Sequence, residues 1–324
     1  MLSESDGTSI ITFGPVPSRR LGRSLGINNI PPKNCSYSCV YCQVGRTMVR
    51  QIEAQTFYQP EEIVEAVTAK VKATLEAGEN IDYLTFVPDG EPTLDIHLAK
   101  TIDRLRELAI KIAVISNASL IWRQEIQHML IKADWVSLKI DSVDEAIWKK
   151  INRPHESLKL SAILHGIESF AKQYQGDLVT ETMLIEGVND NYDSVVLLAE
   201  YLSQLKPDKS YLAIPTRPPA ETDVKAPDET VVARAYQLLK EKSVDVEYLI
   251  DYEGDRFVST GEAEQDLLAI TAVHPMREQA VKELLAKTGA DKDLIQRLLA
   301  ENKLRRVEYD GQNFYVRCLQ HKVT

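Results

Sequence analysis

Between residues 61 and 240 the apolar positions of this chain switch repeatedly between two spacings. Residues 61–78 carry Ile63, Val64, Val67, Val71 and Leu75 at helical intervals, with Gly78 as a natural stop. Short apolar runs at 81–87, 112–115, 135–140, 178–185 and 211–214 read as buried strands. Helical patterns follow them at 94–109, 121–131, 157–174, 192–205 and 230–240. With a first strand at 25–30, this predicts six strand-then-helix units. Strands separated by helices pair in parallel through right-handed crossovers. The fold class expected is α/β, a partial (β/α)6 barrel of TIM type, because short buried strands in such a row suit that architecture.

The pattern changes near residue 261. A helix is expected over 277–288, with Ala280, Val281, Leu284 and Leu285 on one face and Gly289 after it. Asp291 opens a second helix carrying Leu294, Ile295, Leu298 and Leu299. Strand-like runs at 304–309 and 314–319 flank Asp310-Gly311, a strong hairpin signal. Two short helices and a hairpin predict a small winged-helix-like domain over 259–324, following a barrel domain over 1–258.

Composition narrows the classes. At 324 residues the chain is long for a single core. No apolar run is long enough to span a bilayer. Residues 1–12 lack the basic cluster and apolar stretch of a secretory signal, so a cytoplasmic protein is expected. The formal net charge of −10 argues against bulk attraction to nucleic acid. The segment 262–324 carries ten Lys/Arg and ten Asp/Glu, so the acidity lies upstream. Lys303, Arg305 and Arg306 concentrate its positive charge before the hairpin.

The chain has four cysteines, three of them within eight residues: Cys35, Cys39 and Cys42, in C-x3-C-x2-C spacing. Clustered thiols read as a metal or redox site rather than a disulfide framework. Soft thiolates this close can wrap one cubane cluster. Three ligands leave one of its irons open to a small molecule, much as a catalytic zinc keeps an open position. A zinc knuckle needs a fourth ligand, and the nearest histidine in sequence, His97, is remote.

The spacing, with Tyr41 just before the last cysteine, resembles the signature of the radical S-adenosylmethionine superfamily. That resemblance covers about residues 13–252. It implies a [4Fe-4S] cluster on the three cysteines, and S-adenosyl-L-methionine chelated at the open iron. Reductive cleavage then yields a 5′-deoxyadenosyl radical that abstracts hydrogen from a substrate. An external reductant such as flavodoxin or ferredoxin would supply the electron. The cofactor brings the chemistry, and the protein brings orientation and exclusion of water.

Asp89-Gly90-Glu91 follows the second strand where the family has Gly-Gly-Glu, which implies that Gly90 and Glu91 bind the methionine amino group. The same resemblance points to Ser116, Asn117 and Asp141 at strand ends for ribose or carboxylate, although Asn117 and Asp141 are equally good helix caps. Lys139 joins them because a lysine inside a strand pattern otherwise costs burial of a charge. Met183 is placed against adenine by the resemblance, and core packing explains it as well.

Arg19, Arg20 and Arg23 lie among glycines and prolines before the cysteines, and Arg217 follows the last strand. Arginine suits planar, two-pronged recognition of carboxylate or phosphate, so these four are candidate substrate contacts. The segment Gly14-Pro-Val-Pro-Ser-Arg-Arg-Leu-Gly22 resembles a subgroup related to 4-demethylwyosine synthase. Those enzymes carry a second cluster, and Cys318 alone cannot supply one. RNA nucleotide modification is therefore one expected function and modification of a peptide or protein another, the latter including activation of a glycyl-radical enzyme. A zinc-bearing winged-helix regulator is the non-enzymatic alternative.

Overall fold

The computed structural model describes residues 11–250, 262–291 and 293–318. Eight strands form one open sheet in sequential order. They are β1 (Thr12–Ser18), β2 (Gly22–Ile27), β3 (Tyr83–Phe86), β4 (Lys111–Ser116), β5 (Trp135–Lys139), β6 (Asp177–Met183), β7 (Lys209–Ala213) and β8 (Val246–Leu249). Strands β1 and β2 pair antiparallel, and every later neighbour pairs in parallel. The sheet curls into a half barrel, in agreement with the expected partial-barrel class.

Seven helices belong to this unit: α1 (Pro60–Glu76), α2 (Leu98–Leu105), α3 (Gln124–Leu130), α4 (Glu145–Asn152), α5 (Leu160–Ala171), α6 (Tyr192–Leu205) and α7 (Glu229–Glu241). The start of α1 shows why it forms where it does. Pro60 fits the first turn, and Gln59 and Glu62 form a reciprocal capping box. Ile63, Val67 and Val71 then face the core. Alternation along the strands sorts the side chains. Leu84, Phe86, Val114, Val136 and Leu138 pack outward on the helices, while Ala113, Trp135, Val179 and Tyr211 join Leu21 in a separate cluster.

Two expectations needed correction. β1 and β2 form a hairpin that the apolar spacing did not announce, and a further parallel strand, β8, follows the six expected. The first parallel strand runs Gly22–Ile27 rather than over 25–30.

A second apolar cluster lies beyond residue 262. It is built from α8 (Ala263–Val273), β9 (Met276–Arg277), α9 (Glu278–Thr288), α10 (Asp293–Ala300), β10 (Leu304–Tyr309) and β11 (Gln312–Arg317). The last three strands form a small antiparallel sheet in the order β10-β11-β9. Asp310 and Gly311 both take positive φ at the predicted tight turn. Helix α8 packs on β1 through Ala269 and Phe13. The expected boundary at 258/259 falls outside the described residues. No helix among the described residues is long and apolar enough to cross a membrane.

Candidate active site

One cavity of about 310 Å³ opens at the carboxyl edge of the sheet. Cys35, Cys39 and Cys42 all line it, as do Tyr41, Gly90, Ser116, Asn117, Lys139, Met183, Arg20 and Arg217. The sequence-derived residues from seven separate segments therefore meet in one place. Barrel chemistry gathers at this edge because the connecting loops converge there.

The cysteine loop is stitched to its neighbours by backbone hydrogen bonds. Glu91 N donates to Asn34 O at 2.9 Å, Gln51 N to Cys35 O at 3.0 Å, and Val40 N to Ile151 O at 2.9 Å. Cys42 N donates to Cys39 O at 3.1 Å, which turns the chain between those two thiols. Gly90 must be glycine here, since a Cβ on it would fall 2.1 Å from the Asn34 carbonyl oxygen. Its absent side chain lets the cysteine loop lie against the loop after β3.

Burial pushes all three thiols up. Cys35 stands well above its ordinary value, with Cys39 adding to the effect. Cys39 is pushed to about 12 by burial and then by Asp141. Cys42 also rises by burial, with Lys33 pulling the other way. Three half-buried, desolvated thiols do not all ionise readily beside one another unless cationic metal offsets their charge. Two amide donors are already aimed at sulfur: Asn117 Nδ2 lies 3.4 Å from Cys35 Sγ, and Asn152 Nδ2 lies 3.4 Å from Cys39 Sγ. Such donors stabilise thiolate, so the residues present fit an iron–sulfur cluster. Among the described residues no group of three His, Cys, Asp or Glu side chains is arranged to hold a single metal ion. A cubane does not require that convergence, because each ligated iron takes one thiolate.

Glu91 and Asp141 sit behind the cavity wall rather than on it. Glu91 is fully buried and accepts from Thr93 N at 3.1 Å, Thr93 Oγ1 at 2.6 Å, Ser116 Oγ at 2.8 Å and Asn117 N at 2.7 Å. It fixes the loop after β3 to the end of β4. Asp141 accepts from Tyr41 OH at 2.5 Å, Asn152 Nδ2 at 2.7 Å and Met183 N at 2.9 Å. It thereby orients Tyr41, Met183 and, through Asn152, the environment of Cys39.

Sequence reasoning missed Glu181. Register places it beside Lys139 on the adjacent strand, and Lys139 Nζ donates to its Oε1 at 2.6 Å. Arg20 Nη1 contacts its other oxygen. Burial alone would push the Glu181 carboxyl up, but Lys139 and Arg20 hold it down at about 2. The same argument that singled out Lys139, a charge in a strand pattern, applies to Glu181. Lys139 also lies 5.0 Å from the centroid of the Tyr41 ring.

The four arginines separate. Arg20 and Arg217 line the cavity, whereas Arg23 pairs with Glu79 at 2.8 Å on the surface and Arg19 is exposed outside it. Arg217 reaches Gln43 Oε1 at 3.2 Å and His274 Nε2 at 2.9 Å, and Tyr309 OH reaches Pro215 O at 3.2 Å. The segment beyond 262 thus touches the loop that forms the cavity rim.

The family model for the radical SAM superfamily matches residues 29–199, from just before the first cysteine into α6. The chain belongs to the radical SAM superfamily. As a member of that superfamily it is an iron–sulfur enzyme, and S-adenosylmethionine is its expected cosubstrate. It is 47% identical to the UPF0026 protein MJ1312 of Methanocaldococcus jannaschii over 314 residues, covering 96% of this chain and 97% of that one. Among solved structures, a radical SAM methyltransferase from Sphaerobacter thermophilus aligns over 70% of this chain and 66% of its own, with 16% identity and a TM-score of 0.52. The structure of TYW1 with a lysine-pyruvate adduct bound aligns over 74% of this chain and 79% of its own, with 18% identity and a TM-score of 0.51. At these identities the two structures show a shared radical SAM fold.

Proposed function

We propose that the enzyme reductively cleaves S-adenosylmethionine and uses the product to abstract hydrogen from its substrate. The observation that carries this reading is the position of Cys35, Cys39 and Cys42 on one cavity with Gly90, Ser116 and Asn117, at the carboxyl edge of the half barrel. In this reading Cys35, Cys39 and Cys42 hold a [4Fe-4S] cluster. When bound and reduced, the cluster would supply one electron to a carbon–sulfur bond of S-adenosylmethionine, which would part into methionine and a 5′-deoxyadenosyl radical.

The chain's own residues do the rest. Asn117 and Asn152 donate to two of the sulfurs, which tunes how readily an electron leaves. The Gly90 backbone and Ser116 lie on the wall beside the cysteines and are assigned to the methionine and ribose groups. Glu91 and Asp141 act by holding that wall in shape. Met183 and Tyr41 give the cavity apolar surface and exclude water near the reacting atoms. The electron comes from an external reductant of the flavodoxin or ferredoxin kind.

The segment 259–324 is proposed as a winged-helix unit closing on the barrel rim. An RNA nucleotide is a candidate substrate through the resemblance of Gly14–Gly22 to the subgroup related to 4-demethylwyosine synthase, and a peptide is the competing class. Charge gives the RNA reading little support. Lys303 pairs with Glu264 and Glu301, and Arg306 pairs with Glu278. The enzymatic test is release of 5′-deoxyadenosine from S-adenosylmethionine under anaerobic conditions with a chemical reductant. Release that depends on all three cysteines supports the reading, and release unchanged in Cys42→Ala would refute it.

A further inference from the structure

Arg20 enters the cavity from the far side. It lies in the turn between β1 and β2, at the amino edge of the sheet, whereas the cysteines line the cavity from the carboxyl edge. Its guanidinium is fixed in place. Glu181 takes Nη1, and Lys139 holds the second oxygen of the same carboxylate at 2.6 Å. The Arg20 side chain is only 13% exposed.

A guanidinium offers two forks. The end fork joins Nη1 and Nη2, and the side fork joins Nε and Nη2. Glu181 occupies Nη1, so the side fork is the one it leaves. Arg20 Nε is buried and has no hydrogen-bond partner among the described residues. A buried N–H without an acceptor is destabilising, and evolved sites seldom carry one without a ligand to satisfy it. The side fork matches the spacing of two oxygens on a planar or tetrahedral oxyanion.

Charge points the same way. Arg20, Lys139 and Arg217 line the cavity against Glu181 and Asp89. Asp89 is already paired with Lys33 at 3.0 Å. One Glu181 carboxylate serves both Arg20 and Lys139, so Arg20 shares the carboxylate it pairs with.

We infer that the substrate carries a carboxylate or phosphate group that docks on the Nε–Nη2 fork of Arg20, with its reacting carbon extended toward the cysteine side. The inference rests on the function proposed above only in calling the occupant a substrate. Arg20 is a binding residue in this account, and Lys139 and Glu181 position it.

The test uses cluster-loaded enzyme, calorimetric titration and two probes, inorganic phosphate and acetate. Wild type should bind at least one of them, and whichever binds more tightly identifies the group as phosphate or carboxylate. Arg20→Lys keeps the charge, and hence the pair with Glu181, but removes the fork. It should weaken binding about tenfold or more, since charge-assisted hydrogen bonds are lost. Arg19→Gln, which alters the exposed neighbour, should bind as wild type does. Saturating S-adenosylmethionine should leave probe binding intact. Equal binding by Arg20→Lys, no binding by wild type, or exclusion of the probe by S-adenosylmethionine would overturn the inference. Arg20-dependent binding in a protein that never releases 5′-deoxyadenosine would refute the proposed function and uphold the anion site.

Discussion

Lys139 and Glu181 are register neighbours on β5 and β6, and their side chains meet at 2.6 Å inside the cavity. Two charges are buried here in a strand interior where a hydrophobic pair would pack more cheaply. Their cost is offset by mutual pairing and by Arg20, which shares the Glu181 carboxylate. Replacing Glu181 with Gln strands two cations, and stability should drop by about 3–5 kcal/mol in urea unfolding. Lys139→Met should cost less than Glu181→Gln, because it leaves the Arg20–Glu181 pair in place.

The same carboxylate sets an acid limit. Glu181 is held at about 2 in the fold against an ordinary 4.5. Its ionised form is favoured in the native state, so its contribution is complete above pH 4.5 and is lost as pH falls toward 2. A series of unfolding curves from pH 5 to pH 2 should show stability falling with acidity in wild type and a shallower fall in Glu181→Gln.

His274 sets a second limit, with a different origin. Burial and then the Arg217 guanidinium push its imidazole well below 6.5. Arginine can only donate, so His274 Nε2 accepts at 2.9 Å and the ring is neutral. The unfolded chain takes up this proton below pH 6.5 while the folded chain resists it, so stability falls as pH drops through that value. Protection factors at β9, β10 and β11, taken relative to the intrinsic exchange rate at each pH, should fall between pH 7.5 and pH 5.5. A His274→Gln variant should lose most of that pH dependence.

Gly90→Ala tests the close approach of two loops. Its Cβ would sit 2.1 Å from Asn34 O, and that oxygen belongs to backbone carrying the first cysteine. Overpacking of this kind costs about 1–3 kcal/mol. Iron retained per chain after gel filtration should fall relative to wild type, with far-ultraviolet circular dichroism unchanged.

Much of this architecture could be read from the sequence, because the apolar spacing of β2 through β7 and of the longer helices is regular. The N-terminal hairpin could not, since Gly14, Pro15 and Pro17 are residues that ordinarily break strands and are tolerated here on an edge. Strand β8 was missed because it is four residues long, carries Glu247, and buries only Val246 fully. Helix α4 is short, and only Trp148 and Ile151 mark its buried face. At the site, the cysteine spacing located the cavity, and Gly90, Ser116, Asn117, Lys139 and Met183 gather on it. Glu91 and Asp141 are also drawn to it, but as supports behind the wall, a distinction that depends on three-dimensional hydrogen bonding. Asn152 carried no local signal, because its two contacts are with Cys39 and Asp141, both remote from it in structural element.

The central claim is that Cys35, Cys39 and Cys42 grip a cubane. Iron and acid-labile sulfide should therefore be counted in anaerobically reconstituted protein, beside the Cys42→Ala variant. The account predicts about four irons and four sulfides per wild-type chain and a large loss in the variant. Stoichiometric zinc without sulfide, or equal iron in both proteins, would contradict it.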